Sequence, residues 1–131
     1  MQRIAAGAPS ATLLRRFALA ASTVRAEITL RVTAAAEARK INAKYLNKDY
    51  ATNVLSFAYG GGSGDVVLCH PVIANEARAQ GKPLAAHYAH LVVHGVLHLR
   101  GLDHMTASEA SRMERREVAI LRRLGFGDPY R

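Results

Sequence analysis

Polar and apolar residues alternate through Glu27-Ile28-Thr29-Leu30-Arg31-Val32, the period of a strand with one buried face. Before it, Leu13, Leu14, Phe17 and Leu19 give one apolar side to the stretch from about Ser10 to Ala21, which predicts a first helix. Ala34 to Leu46 is rich in helix formers and sets Ala38, Ile41 and Tyr45 at helical spacing. Asn53 to Tyr59 reads as a second strand. Val66 to Cys69 is apolar throughout, so it is expected to be a short internal strand. The run Gly60-Gly61-Gly62-Ser63-Gly64 between them is expected to be a flexible loop. It leads into a strand and lacks the Lys-Ser/Thr that follows a phosphate-cradling loop. Pro71 can open a helix and Gly81 can close it, while Pro83 begins another that runs to about Arg100. Thr106-Ala107-Ser108-Glu109 is a capping box for the last helix, which Gly125 ends. Helices interleaved with few strands, without an internal repeat, predict an α+β fold: a small mixed β-sheet covered by helices.

Length and composition narrow this to one domain over residues 1–131, with a single core. No apolar run is long enough to span a membrane. Cys69 has no partner for an intramolecular disulfide, so an oxidising compartment is not indicated and a cytoplasmic protein is expected. Cys69 itself reads as a buried strand-end thiol. Eighteen Lys and Arg against ten Asp and Glu give a net charge of +8 and a pI near 10.3. Such a domain attracts polyanions, RNA or DNA above all, although its cations are dispersed and no RNP, KH or zinc-finger motif is present. The first 26 residues carry Arg3, Arg15, Arg16 and Arg25 among alanines and contain no acid, as transit peptides do. They run into the first strand without a linker, however, which favours a helix of the domain itself.

The candidate chemistry lies in His94-Gly95-Val96-Leu97-His98-Leu99-Arg100-Gly101-Leu102-Asp103-His104. Residues four apart on a helix share a face, so His94 and His98 can aim two imidazoles at one ion. A third ligand cannot come from further along the same straight helix. His90 and His98 are separated by a rise of about 12 Å, whereas nitrogens on one Zn²⁺ lie only about 3.3 Å apart. The chain must turn, and Gly101 accepts the left-handed angles that let it do so. His104 then arrives from beyond the turn. The pattern HxxxHxxGxxH has the ligand spacing of metzincin metalloproteases, with Gly95 where their glutamate base stands. Three imidazoles leave one tetrahedral position of Zn²⁺ open, the mark of a catalytic site. His87 and His90, on the same helical stretch, are expected to be packed or hydrogen-bonded rather than metal-bound.

The run HGVLHLRGLDH resembles the H-G-x-L-H-L-x-G-x-D-H signature of the YbeY endoribonucleases. Lys48-Asp49-Tyr50-Ala51-Thr52-Asn53-Val54-Leu55-Ser56-Phe57 is similar to that family's KDxxTNVLSF segment, and Gly64-Asp65-Val66-Val67-Leu68-Cys69 to its GD-[IL]-x-[IL]-C strand. Gly81-Lys82-Pro83-Leu84, the segment Ala86 to Val93, Leu124-Gly125-Phe126 and Asp128-Pro129-Tyr130 extend the likeness from about residue 27 to the C-terminus. The resemblance implies a zinc-hydrolase-like domain that cleaves single-stranded RNA, with one Zn²⁺ per chain on His94, His98 and His104. It further implies work in ribosomal RNA 3′-end maturation and ribosome quality control, with the small ribosomal subunit as partner. Asp103 is a candidate for orienting a ligand imidazole or for acting on the metal-bound water. The chain departs from the family at Leu46, where Y-R-x-K-D has an arginine. Lys48, or Lys44, is then the candidate cation beside the phosphate. The family's short strand before the first helix has little room after Met1. Two other functions fit parts of the pattern: a peptidase, disfavoured by Gly95, and a non-catalytic zinc-containing ribosome-assembly factor, favoured by Leu46.

Overall fold

The computed structural model describes residues 7–23, 25–34, 36, 39–40, 43–44, 52–102 and 106–130. Helix α1 spans Ala11–Ala21, and the Ser10 side chain accepts from the backbone N–H of Leu13 to cap it. Strand β1 is Ile28–Thr33, β2 is Val54–Gly60 and β3 is Ser63–Cys69. They form one sheet in the order β1-β3-β2. β1 lies parallel to β3, with Ile28 opposite Gly64 and Thr33 opposite Cys69. β2 lies antiparallel to it, with Val54 opposite Leu68 and Phe57 opposite Asp65. Among the described residues β3 is therefore the internal strand, and Val66 to Cys69 are all buried. Burial raises the pKa of the Cys69 thiol, which suits the inert role expected for it.

The glycine run differs from expectation. β2 continues to Gly60 and β3 begins at Ser63, so Gly61 and Gly62 form a tight hairpin turn rather than a flexible loop. Both have positive φ, 64° and 86°, as the turn that matches the twist of the flanking strands requires. Glycine density had signalled looseness; here it permits a backbone geometry. Of the helix expected over residues 34–46, the described residues Ala36, Arg39, Lys40, Ala43 and Lys44 are helical, while Ala34 lies before it. Leu46 and Lys48 lie outside the described residues.

After β3 come α2 (His70–Gln80), α3 (Leu84–Leu99) and α4 (Ala107–Arg123). Pro71 sits in the first turn of α2, and Gly81 ends it in the left-handed conformation. Thr106 and Glu109 form the reciprocal capping box of α4. The core lies between the sheet and α3, where Leu30, Val66 and Leu68 meet Tyr88, Val92 and Val96, all buried. α1 closes the far side of α3 through Leu14 and Phe17. α3 carries the histidines, so the most buried helix also presents the chemistry. Among the described residues no helix is long and apolar enough to cross a membrane.

Candidate metal centre

Strand alternation sends Val54, Ser56 and Ala58 of β2 toward α3. The helix approaches very closely there, because Gly95 has no side chain. A Cβ at Gly95 would stand 2.9 Å from Val66 Cγ1, 3.1 Å from Ser56 Oγ and 3.4 Å from Val54 Cγ2. In that space the Ser56 hydroxyl donates to the Gly95 carbonyl at 3.1 Å. The residue that replaces the protease glutamate thus has a packing role, and its direction is into the sheet.

His94 and His98 emerge beside this contact. Their ring centroids are 4.8 Å apart at 70°, close enough for a nitrogen of each to share an ion. Both line a groove of about 400 Å³ whose other wall is β2, from Asn53 to Ala58. α3 ends at Leu99, and Gly101 has a φ of 88°, the left-handed turn expected before His104. Asp103 and His104 themselves lie outside the described residues.

Behind His94 lies a carboxylate not anticipated in the sequence. Glu117 of α4 is 1 % exposed, and its Oε2 lies 3.3 Å from His94 Nδ1 and 2.9 Å from His90 Nε2. The Tyr130 hydroxyl donates to its other oxygen at 2.9 Å. Burial pushes the Glu117 pKa up, but hydrogen bonds from His90 and His94 and their charges outweigh this and hold it at about 2. An ionised carboxylate is an acceptor only, so the neighbouring nitrogens must be donors. His94 then carries its proton on Nδ1 and leaves the Nε2 lone pair for an ion, as in carboxylate–histidine–zinc arrangements. His87 bonds through Nε2 to Glu76 Oε1 at 2.9 Å, and Asn53 donates to the same carboxylate. His87 and His90 each hydrogen-bond a carboxylate.

His90, His94 and Glu117 form a second cluster with ligand atoms within 4.8 Å of one another, so they too could hold a metal. Both candidate sets contain His94. Glu117 had a signal in the sequence: it stands four residues after Met113 and four before Leu121, on the buried stripe of α4. A charged residue on such a stripe needs a partner.

A histidine pair on a buried helix, laid against a small mixed sheet, defines an α+β domain with side chains that could hold a metal ion. The family model for Endoribonuclease YbeY matches residues 10–125. The chain is 52% identical over 128 residues to Endoribonuclease YbeY of Aromatoleum aromaticum, covering 95% of this chain and 83% of that one. It is 53% identical over 127 residues to the protein of the same name from Thiobacillus denitrificans, covering 93% and 86%. A solution structure from Thermotoga maritima superposes with a TM-score of 0.54 at 19% identity, over 92% of this chain and 85% of that one, and supports the fold. The chain belongs to the YbeY endoribonuclease family.

Proposed function

We propose that this protein is a zinc-dependent endoribonuclease that cleaves single-stranded RNA in ribosomal RNA 3′-end maturation and quality control, with the small ribosomal subunit as partner. The domain carrying the activity spans residues 1–131. One Zn²⁺ per chain is held by His94, His98 and His104. The observation that carries the metal reading is the buried Glu117 carboxylate at His94 Nδ1, because it dictates which nitrogen faces the groove. The competing set on His90, His94 and Glu117 is less favourable. Both Glu117 oxygens already accept hydrogen bonds, and the carboxylate is sealed from the groove.

When bound, zinc supplies Lewis acidity toward a phosphoryl oxygen and activation of water near neutral pH. The chain supplies the rest. The groove between β2 and α3 orients the RNA strand across His94 and His98. Lys44 lines a cleft with Phe57 and Val67, on the sheet face away from the histidines. That placement favours Lys48 as the cation that offsets charge gathering on phosphate, in place of the family arginine replaced by Leu46. Asp103, next to His104, is proposed to orient that imidazole or to move a proton at the reacting water. Purified protein should cleave single-stranded RNA, lose the activity to a chelator and regain it with Zn²⁺, while casein stays intact. Casein cleavage would revive the peptidase reading. RNA binding without turnover would leave a non-catalytic assembly factor.

Glu117→Gln should lower zinc affinity by about tenfold to a hundredfold, the usual effect of removing a carboxylate that supports a ligating histidine. Competition with a chromophoric chelator measures this directly. An unchanged affinity would remove Glu117 from the site. Complete loss of binding would make it a ligand itself.

A further inference from the structure

A second cleft, larger than the histidine groove, is not at the histidines. It lies on the opposite face of the sheet, has a volume of about 460 Å³, and is lined by Arg31, Lys40, Lys44, Phe57, Tyr59, Asp65 and Val67. The strand register explains why these residues meet. Arg31 of β1 stands opposite Val67 of β3, and Phe57 of β2 stands opposite Asp65, so all four point away from α3. Lys40 and Lys44 reach the same cleft from the helical segment that precedes β2, and both are exposed.

The cleft's chemistry is specific in kind. Among the described lining residues there are three cations, Arg31, Lys40 and Lys44, and one acid, Asp65, which accepts a hydrogen bond from the Tyr59 hydroxyl. Among the described residues Tyr59 is one of the few large apolar side chains left in solvent, at 69 % exposure, and the half-buried Phe57 lies next to it on the same face. Cations set around exposed aromatic rings are the recurring surface for single-stranded nucleic acid. The cations track phosphates while the rings stack on bases regardless of sequence.

Strand β2 connects this cleft to the metal centre. Its alternate residues serve opposite faces, so Ala58 lines the histidine groove while Tyr59, its neighbour, lines the cleft. Among the described residues β2 is an outer strand, and a flexible polymer can pass around it from one face to the other.

We propose that the cleft is a second binding site for single-stranded RNA, taking the part of the strand that flanks the segment held at the histidines. A base stacks on Tyr59, while Arg31, Lys40 and Lys44 hold the adjoining phosphates. The choice of RNA rests on the ribonuclease reading, but the binding chemistry does not require cleavage.

The test uses the full-length, zinc-loaded protein and fluorescein-labelled oligoadenylates with 2′-O-methyl sugars, which slow cleavage, in a long form and a dinucleotide form. Tyr59→Ala should weaken the long oligomer by about tenfold, the scale of one lost base stack, and leave the dinucleotide unchanged. Tyr59→Phe keeps the ring, removes the bond to Asp65 and should bind like the unmutated protein. The double variant Lys40→Ala/Lys44→Ala should reduce the salt dependence of log K by about 1.4, from a slope near −0.7 per neutralised phosphate on a single strand. Zinc content should be unchanged in all of them. If the alanine variants bind the long oligomer as the unmutated protein does, or if Tyr59→Phe falls as far as Tyr59→Ala, the proposal is overturned. Cleft-dependent binding by a protein that cleaves no RNA would support the site and defeat the nuclease reading instead.

Discussion

His98→Ala should leave a folded protein without stoichiometric zinc and with RNA cleavage reduced by about a thousandfold or more. The magnitude follows from the several kcal/mol of charge stabilisation that a metal ion gives a phosphoryl transition state. The fold should survive because His98 sits in the groove wall, outside the packed set formed by Val92, Val93, Val96 and Leu97. Metal analysis, a cleavage assay and a thermal melt would together establish this. The companion variant separates the two candidate ligand sets. His90→Gln keeps a donor toward Glu117 and should retain zinc, since His90 belongs only to the set containing that carboxylate. Zinc kept by His98→Ala and lost by His90→Gln would reverse the assignment, placing the ion between α3 and α4.

Restoring the protease-type acid should destroy the domain rather than create a peptidase. A Cβ at Gly95 already meets the buried Val66 at 2.9 Å, so Gly95→Ala is expected to cost about 1–3 kcal/mol through overpacking. Gly95→Glu adds a carboxylate wedged toward Val54 and Val66, with the Ser56 hydroxyl as its nearest polar neighbour. Burying such a charge without a cationic partner adds several kcal/mol more, against a total stability of about 5–15 kcal/mol for a typical domain. Urea denaturation should show a lowered midpoint for the alanine variant and no cooperative transition for the glutamate variant. A Gly95→Glu protein that unfolds at the unmutated midpoint would show that α3 can move off the sheet. The packing account of this glycine would then be wrong. On that account a helix turn with metzincin spacing serves another chemistry here because α3 presses its second residue against β2 and β3.

The features legible in the amino-acid order are those whose physics acts within a few residues of chain. The spacing of His94 and His98 sets both on one face of α3, because the helical repeat does so wherever the helix lies. Gly101 marked the turn, and its positive φ follows from the absence of a Cβ. Ser10, Thr106 with Glu109, and Gly81 marked helix ends because a cap is a bond between near neighbours. The unbroken apolar run ending at Cys69 identified the internal strand. The same local reasoning failed at Gly60 to Gly64, where composition reports conformational freedom but not the use made of it. Long-range packing fixed the rest. Glu117 meets His94 across 23 residues of chain, a meeting fixed by how α4 docks on α3. Gly95 is needed only because the sheet lies directly over it, and no property of the helix alone reveals that. Arg31, Tyr59 and Lys40 share a cleft only after a parallel and an antiparallel pairing set their strands side by side. Periodicity tells a side chain which way to face along its own element; what it faces depends on long-range packing, to which local spacing is blind.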